Sequence, residues 1–255
     1  MQIAEIKHKV RRALAKGGPR LVARGAVQWW VTLIRDALIV ARSRLLGVPV
    51  VHAIGDSHAY ALAGVWPFFA HHLGPVTAYN LASRSSTTQS RTRLLHALRL
   101  ANARRDIVLL IAGEVDCRLH IYDQHIRSSG ELSLEEAAQR TVVRYGQAIQ
   151  MVKDRGYRVA VQSVVGGAHQ GNVYGYPHYA EIGVRGRIVR LFNAELEAWC
   201  REHDVDYVDV FSHVTDDRGV LCPSMTSDSV HLNRDALTWY GPWLREAVYA
   251  GWVAP

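Results

Sequence analysis

From residue 49 onward the chain alternates short apolar runs with longer stretches whose apolar residues recur at helical spacing. The pattern predicts strands at Val50–Ile54, Val76–Asn80, Asp106–Ala112, Tyr157–Val165 and Val205–Phe211. Helices are predicted at Ala59–Trp66, Gln89–Asn102, Leu134–Arg155, Tyr179–His203 and Arg234–Ala250, with Pro67 ending or kinking the first. The unbroken run Ile107-Val108-Leu109-Leu110-Ile111 suits a strand covered on both faces. Strand–helix alternation of this kind implies an α/β fold: a parallel five-stranded sheet with right-handed crossovers in a three-layer α/β/α sandwich. Sites in such folds form beyond the carboxyl ends of the strands.

The first 48 residues follow another pattern. They read as two helical pieces broken at Gly17-Gly18-Pro19. In the second, Val27, Trp30, Ile34, Leu38 and Ala41 follow helical spacing, and Leu33, Ile39 and Leu45 widen the stripe. The division expected is a basic amphipathic extension, 1–48, followed by an α/β/α domain, 49–255. Charge sharpens this division. The chain carries +7, yet residues 1–48 hold ten Lys/Arg against Glu5 and Asp36, a balance of +8 that leaves −1 for the rest. Two readings of the extension stand: a helix lying on an anionic membrane surface or a protein partner, and a helix packed on the domain or on a second copy. Nucleic acid is not the expected partner, because the arginines interleave with apolar residues and form no polar stripe.

Three cysteines, Cys117, Cys200 and Cys222, form no CxxC pair, which points to a reduced, cytoplasmic setting without a disulfide framework. No secretory signal is expected. The stretch Ala26–Val40 is interrupted by Arg35 and Asp36 and falls short of the ~20 apolar residues that span a bilayer.

Candidate chemistry gathers at the predicted strand ends. Gly55-Asp56-Ser57-His58 follows the first strand, Asn80 to Ser86 the second, Gly113 to His120 the third, and a Gly/His/Tyr-rich loop from Gly166 to Tyr179 the fourth. Asp228-Ser229-Val230-His231 lies in the connection after the fifth. A serine at a strand-to-helix corner is a privileged nucleophile position, since the next helix would aim its free N–H groups and positive dipole end at the same spot. A neutral imidazole can take the serine's proton, and a carboxylate can orient that imidazole.

Gly55-Asp56-Ser57 with Asp228-x-x-His231 resembles the SGNH (GDSL-type) hydrolases, esterases and acyltransferases of flavodoxin-like fold, in element order over residues 49 to about 250. The GDSH form is also similar to SGNH domains that accompany membrane acyltransferases acting on sugars. The resemblance implies Ser57 as nucleophile, His231 as general base and then acid, and Asp228 as the residue orienting the imidazole. It also implies an oxyanion hole built from the serine N–H, a glycine N–H after the second strand and an asparagine after the third. The chain departs from that pattern. Ser85 or Ala82 replaces the glycine, a mild change because the donor is backbone. Gly113-Glu114-Val115-Asp116-Cys117-Arg118 replaces Gly-x-Asn-Asp, leaving Val115 or Glu114 at the asparagine. Arg118 is then the substitute donor, or Glu114 and Asp116 order a substrate hydroxyl or pair with Arg84 or Arg118, or the hole is incomplete.

The proposed chemistry needs no metal and no cofactor. Asp116, His120, His125, His169 and His178 could converge, but they lack HxxxH or HExxH spacing. The expected function is therefore serine ester hydrolysis through an acyl-enzyme on Ser57, on a small-molecule or glycan ester. The tyrosines, histidines and glycines of the loop after the fourth strand would serve as a sugar-facing wall. Two rivals stand beside it: an O-acyltransferase of the same fold, and a non-catalytic glycan-binding or scaffold protein.

Overall fold

The structure, a computed structural model, describes residues 30–167 and 178–250. Five parallel strands form one sheet: β1 (Val51–Gly55), β2 (Phe68–His72), β3 (Ile107–Ile111), β4 (Arg158–Gln162) and β5 (Asp206–Val208), in the order β2-β1-β3-β4-β5. The helices are α1 (30–45), α2 (Ser90–Leu98), α3 (Ile121–Arg127), α4 (Leu134–Lys153), α5 (Ile182–Glu202) and the short α6 (Phe211–Val214).

Alternation along β3 divides the core. Val108 and Leu110 join Leu94 of α2, Tyr145 and Ile149 of α4 and Phe192 and Leu196 of α5 on one face. Ile107, Leu109 and Ile111 join Val51, Ala53, Phe68 and Tyr240 on the other. Every β3 side chain is buried, as its unbroken apolar run requires. The predicted three-layer α/β/α sandwich is the fold observed. A capping box opens α4: Ser133 Oγ accepts from the Glu136 N–H at 3.1 Å, and Glu136 Oε2 accepts from the Ser133 N–H at 2.8 Å.

Three elements differ from the sequence pattern. The second strand is Phe68–His72, not Val76–Asn80. It lies at the sheet edge and is only partly buried, so its two histidines are tolerated and its apolar run stops at Ala70. Val76 and Ala78 are apolar because they are buried as loop, where Asp116 takes up the Ala78 N–H. The helix after β1 is a six-residue 3₁₀ turn, Ser57–Leu62. The C-terminal helix is broken into a 3₁₀ turn (Asp235–Tyr240), one α-turn (Gly241–Trp243) and a π-turn (Leu244–Val248), because Pro242 has no N–H to continue the ladder. A π-turn at Asp116–His120 leading into α3 carries no periodic signal and went unpredicted.

Candidate active site

The corner after β1 is fixed by a close approach. A Cβ built on Gly55 would stand 1.8 Å from the Ile111 carbonyl oxygen of β3, so residue 55 must be glycine for the two strands to pair here. The next N–H, of Asp56, donates to that same carbonyl at 3.0 Å. Asp56 then caps the 3₁₀ turn, its Oδ1 accepting from the His58 N–H at 2.9 Å. The turn is too short for a helix dipole of consequence, so the expected dipole contribution is absent. What remains is the Ser57 N–H, which none of the hydrogen bonds among the described residues uses.

The segment from Thr226 to Leu232 folds back on itself. Residues Thr226 and Leu232 form an antiparallel bridge, and the Ser227 N–H donates to the His231 carbonyl at 3.0 Å. Asp228 Oδ1 accepts from the Val230 N–H at 3.1 Å and the His231 N–H at 2.8 Å, and the loop closes with Ser229 at φ +70°. Asp228 Oδ2 lies 2.6 Å from His231 Nδ1, and His231 Nε2 lies 2.8 Å from Ser57 Oγ. Burial acts to raise the Asp228 pKa, but the His231 N–H and ring and the Val230 N–H outweigh it and hold the carboxyl at about 2. Serine, imidazole and carboxylate thus form one hydrogen-bonded chain at the rim of an open cleft of about 560 Å³, lined by Ser57, Tyr60, Ala63, Ser227, His231 and Arg234.

Behind this chain is a second one that the sequence did not single out. His58 is buried, with Nδ1 3.2 Å from Asp56 Oδ1 and Nε2 3.0 Å from the Val230 carbonyl. Its ring lies 5.4 Å from that of His231. Burial alone would lower its pKa, but Asp56, Glu114 and the Val230 carbonyl raise it to about 9, so His58 is an imidazolium at neutral pH and donates through both nitrogens. It therefore ties the serine turn to the residue preceding His231. The signal for it was the motif itself: a histidine directly after the serine, where an apolar residue would pack as well.

The remaining predicted residues fall as follows. Glu114 is buried with Oε1 2.9 Å from Arg118 Nε, and burial raises its pKa, against the pull of His58 and Arg118. The pair is close in distance but not aligned as a hydrogen bond. Arg118 is thus held by Glu114; Arg84 is exposed and takes no part. Asp116 does not face the cleft. It is fully buried, its Oδ2 accepting from the Ala78 N–H at 2.6 Å and its Oδ1 from the Tyr79 N–H at 3.3 Å, and burial raises its pKa to about 7 in spite of those bonds. Its role is to hold the loop after β2. Ser85 is exposed and its N–H is directed at Ser83 Oγ, 3.3 Å away, so that of the two expected donors only the Ala82 N–H is left without a partner among the described residues. Val115, with Glu114 a candidate for the position of the expected asparagine, is half-buried.

His178 pairs with Asp123 at 2.7 Å and His125 with the Leu132 carbonyl at 2.7 Å. Among the described residues no three His, Cys, Asp or Glu side chains converge as a metal site would require. Of the loop after β4, residues 168–177, including His169, lie outside the described residues.

A parallel α/β/α sheet with this serine, histidine and aspartate at its carboxyl edge is the architecture of an SGNH-type hydrolase. The sequence profile of the GDSL-like lipase/acylhydrolase family matches residues 53–236, and the chain belongs to that family. Membership makes it a carboxylic ester hydrolase. Similar solved structures include a protein from Bacteroides fragilis described as an acylhydrolase (TM-score 0.56, 16% identity, 80% of this chain and 88% of that one). Another is a GDSL-like lipase from Bacteroides thetaiotaomicron (TM-score 0.54, 16% identity, 79% and 88%). At that identity the likeness speaks for the fold. No curated protein matches the chain. Among the described residues no helix is long and apolar enough to cross a membrane.

Proposed function

We propose that the chain hydrolyses O-acyl esters of carbohydrates through an acyl-enzyme on Ser57. The observation that carries the reading is the unbroken chain from Ser57 Oγ through His231 to Asp228, at 2.8 and 2.6 Å. His231 Nε2 takes the Ser57 proton as Oγ bonds to the ester carbonyl carbon. The tetrahedral intermediate collapses, the acyl–oxygen bond breaks, and the departing alcohol takes the proton from His231. Water then repeats the sequence on the acyl-enzyme and releases the acid. Asp228, held ionised by its hydrogen bonds, fixes the imidazole tautomer and balances the imidazolium.

The oxyanion rests on the Ser57 N–H and on the backbone of the loop after β2, without an asparagine side chain. One missing donor costs about 10²–10³ in rate. A carbohydrate fits the open cleft, which offers the exposed ring of Tyr60, braced by its hydroxyl on His72 at 2.9 Å, and the exposed guanidinium of Arg234. The test is p-nitrophenyl acetate and acetylated xylose turnover by wild type, Ser57→Ala and His231→Ala, with fluorophosphonate labelling of Ser57. Equal rates in all three and no labelling would overturn the acyl-enzyme, and sugar binding in their place would favour the non-catalytic reading. Turnover of the aryl ester with no turnover of any acetylated sugar would overturn the substrate class alone.

A further inference from the structure

Helix α1 is mounted with its polar side inward. Ile39 and Ser43 are buried, and Thr32, Arg35, Asp36, Val40 and Arg44 share that side. Arg44 grips the buried Asp106 carboxylate with two bonds of 2.7 and 2.8 Å, and Ser43 Oγ accepts from Trp66 Nε1 at 3.0 Å. The opposite side carries Val31, Ile34, Leu38, Ala41 and Leu45, all exposed; Ile34 is 58% exposed, Leu38 64% and Leu45 86%. Leu33 and Ala37, also exposed, widen this row. A surface helix ordinarily does the reverse, burying the apolar stripe and wetting the polar one. With Ser43 and Arg44 bonded to the domain and Arg35 paired with Asp36 at 3.0 Å, the apolar face has been left for something outside it.

We infer that this face seats the enzyme on an anionic lipid surface, α1 lying in the plane of the interface. Charge selects this occupant. Residues 1–29 carry seven Lys/Arg against Glu5 alone, a balance of +6 immediately before the apolar face. An apolar helix face plus a polybasic segment are the two signals that together give stable peripheral binding. The spacing of Val31, Ile34, Leu38, Ala41 and Leu45 would also serve a helix–helix seam with a second copy. That seam spans only about two heptads, is broadened beyond a two-residue stripe, and would bring two +6 segments together. Arg42 is the exposed basic residue at the helix's carboxyl half and stands at the edge of the apolar face. This inference is independent of the acyl-enzyme reading.

The test is flotation of the full chain with vesicles of phosphatidylcholine alone and of phosphatidylcholine with phosphatidylglycerol at 3:1, comparing wild type with the double variant Ile34→Ser/Leu38→Ser. Both side chains are exposed, so the variant folds, and its ester turnover in solution serves as the check. Expected is recovery of wild type with the anionic vesicles, at least tenfold less with the neutral ones, and about a tenfold loss in the double variant. Absence of wild type from the anionic vesicles, or equal flotation of the variant, would overturn the inference. A dimer in light scattering that the double variant breaks, without flotation, would overturn it in favour of the second copy.

Discussion

Raising the pH from 7 to 9 is expected to weaken the fold chiefly through His58. Its pKa of about 9 in the folded chain stands above the ordinary 6.5. A raised pKa means that the native state holds a proton the unfolded state has lost, so the stabilisation is complete below 6.5 and disappears as pH passes 9. Integrated over pH 7 to 9, this one group contributes a loss of about 2 kcal/mol. Other buried groups add smaller losses of the same sign: Asp116, with its pKa of about 7, is half ionised at the start and finishes titrating within the window, and the Cys117 thiol, raised by burial, keeps its proton as the unfolded thiol begins to ionise towards pH 9. The difference between wild type and a His58 variant isolates the imidazole. The groups facing His58 are Asp56, Glu114, the Val230 carbonyl and the His231 ring. The assay is urea denaturation at pH 7, 8 and 9, with wild type beside His58→Asn. Wild type should lose at least about 2 kcal/mol. The variant should be less stable at pH 7 by about 3 kcal/mol, the cost of leaving Asp56 and Val230 without their partner, and should lose about 2 kcal/mol less than wild type between pH 7 and 9. Wild-type stability that does not change from pH 7 to 9 would refute the buried imidazolium.

Asp228→Asn should lower kcat by about 10⁴ with KM little changed, because an amide can hold the wrong imidazole tautomer; steady-state kinetics decide. Val115→Asn should raise kcat by up to about 10² if residue 115 stands at the oxyanion, and an unchanged kcat would move the missing donor elsewhere. Gly55→Ala should cost at least about 3 kcal/mol in thermal unfolding, since its Cβ would fall on the Ile111 carbonyl and push β1 from β3. Asp116→Ala should cost about 2–4 kcal/mol, leaving the Ala78 and Tyr79 N–H groups without an acceptor, and should also lower kcat by loosening the loop after β2.

The legible parts of the sequence were those where one physical demand acts alone. The run Ile107–Ile111 is apolar because both its faces are covered, and nothing else competes for those positions. Asp228-x-x-His231 is readable because the three-residue spacing lets one carboxylate take two backbone N–H groups and the ring together. Where two demands overlap, the pattern misleads. The segment at Val76 is apolar for burial but irregular for the sake of the Asp116 bonds, and so looked like a strand. The true edge strand has histidines because one side of it is open: His71 lies 2.8 Å from His52, and His72 meets Tyr60. Glu114 and Asp116 differ by two positions and look interchangeable in the sequence. Which one meets Arg118 and which one holds a loop depends on the π-turn that begins at Asp116, and no periodicity announces such a turn.

Asp106 gives the N-terminal segment a meaning that a module boundary at residue 48 would hide. Its one carboxylate receives Arg44 from α1, the Val50 N–H at 3.3 Å just before β1, and the Asn102 N–H at 2.8 Å in the loop after α2, with His52 Nε2 3.5 Å away. The side chain is wholly shielded from solvent, and these neighbours hold its pKa far down in spite of that shielding. A fragment starting at Pro49 would keep this anion and lose the cation that answers it, a cost of about 3–5 kcal/mol. The shortest self-sufficient catalytic unit therefore begins before Arg44, so the helix that presents the outer apolar face is also part of the enzyme's foundation. A cut that removed α1 through Arg44 would take the outer apolar face and the cation of Asp106 away together, so that face cannot be shed without the stability that Arg44 supplies.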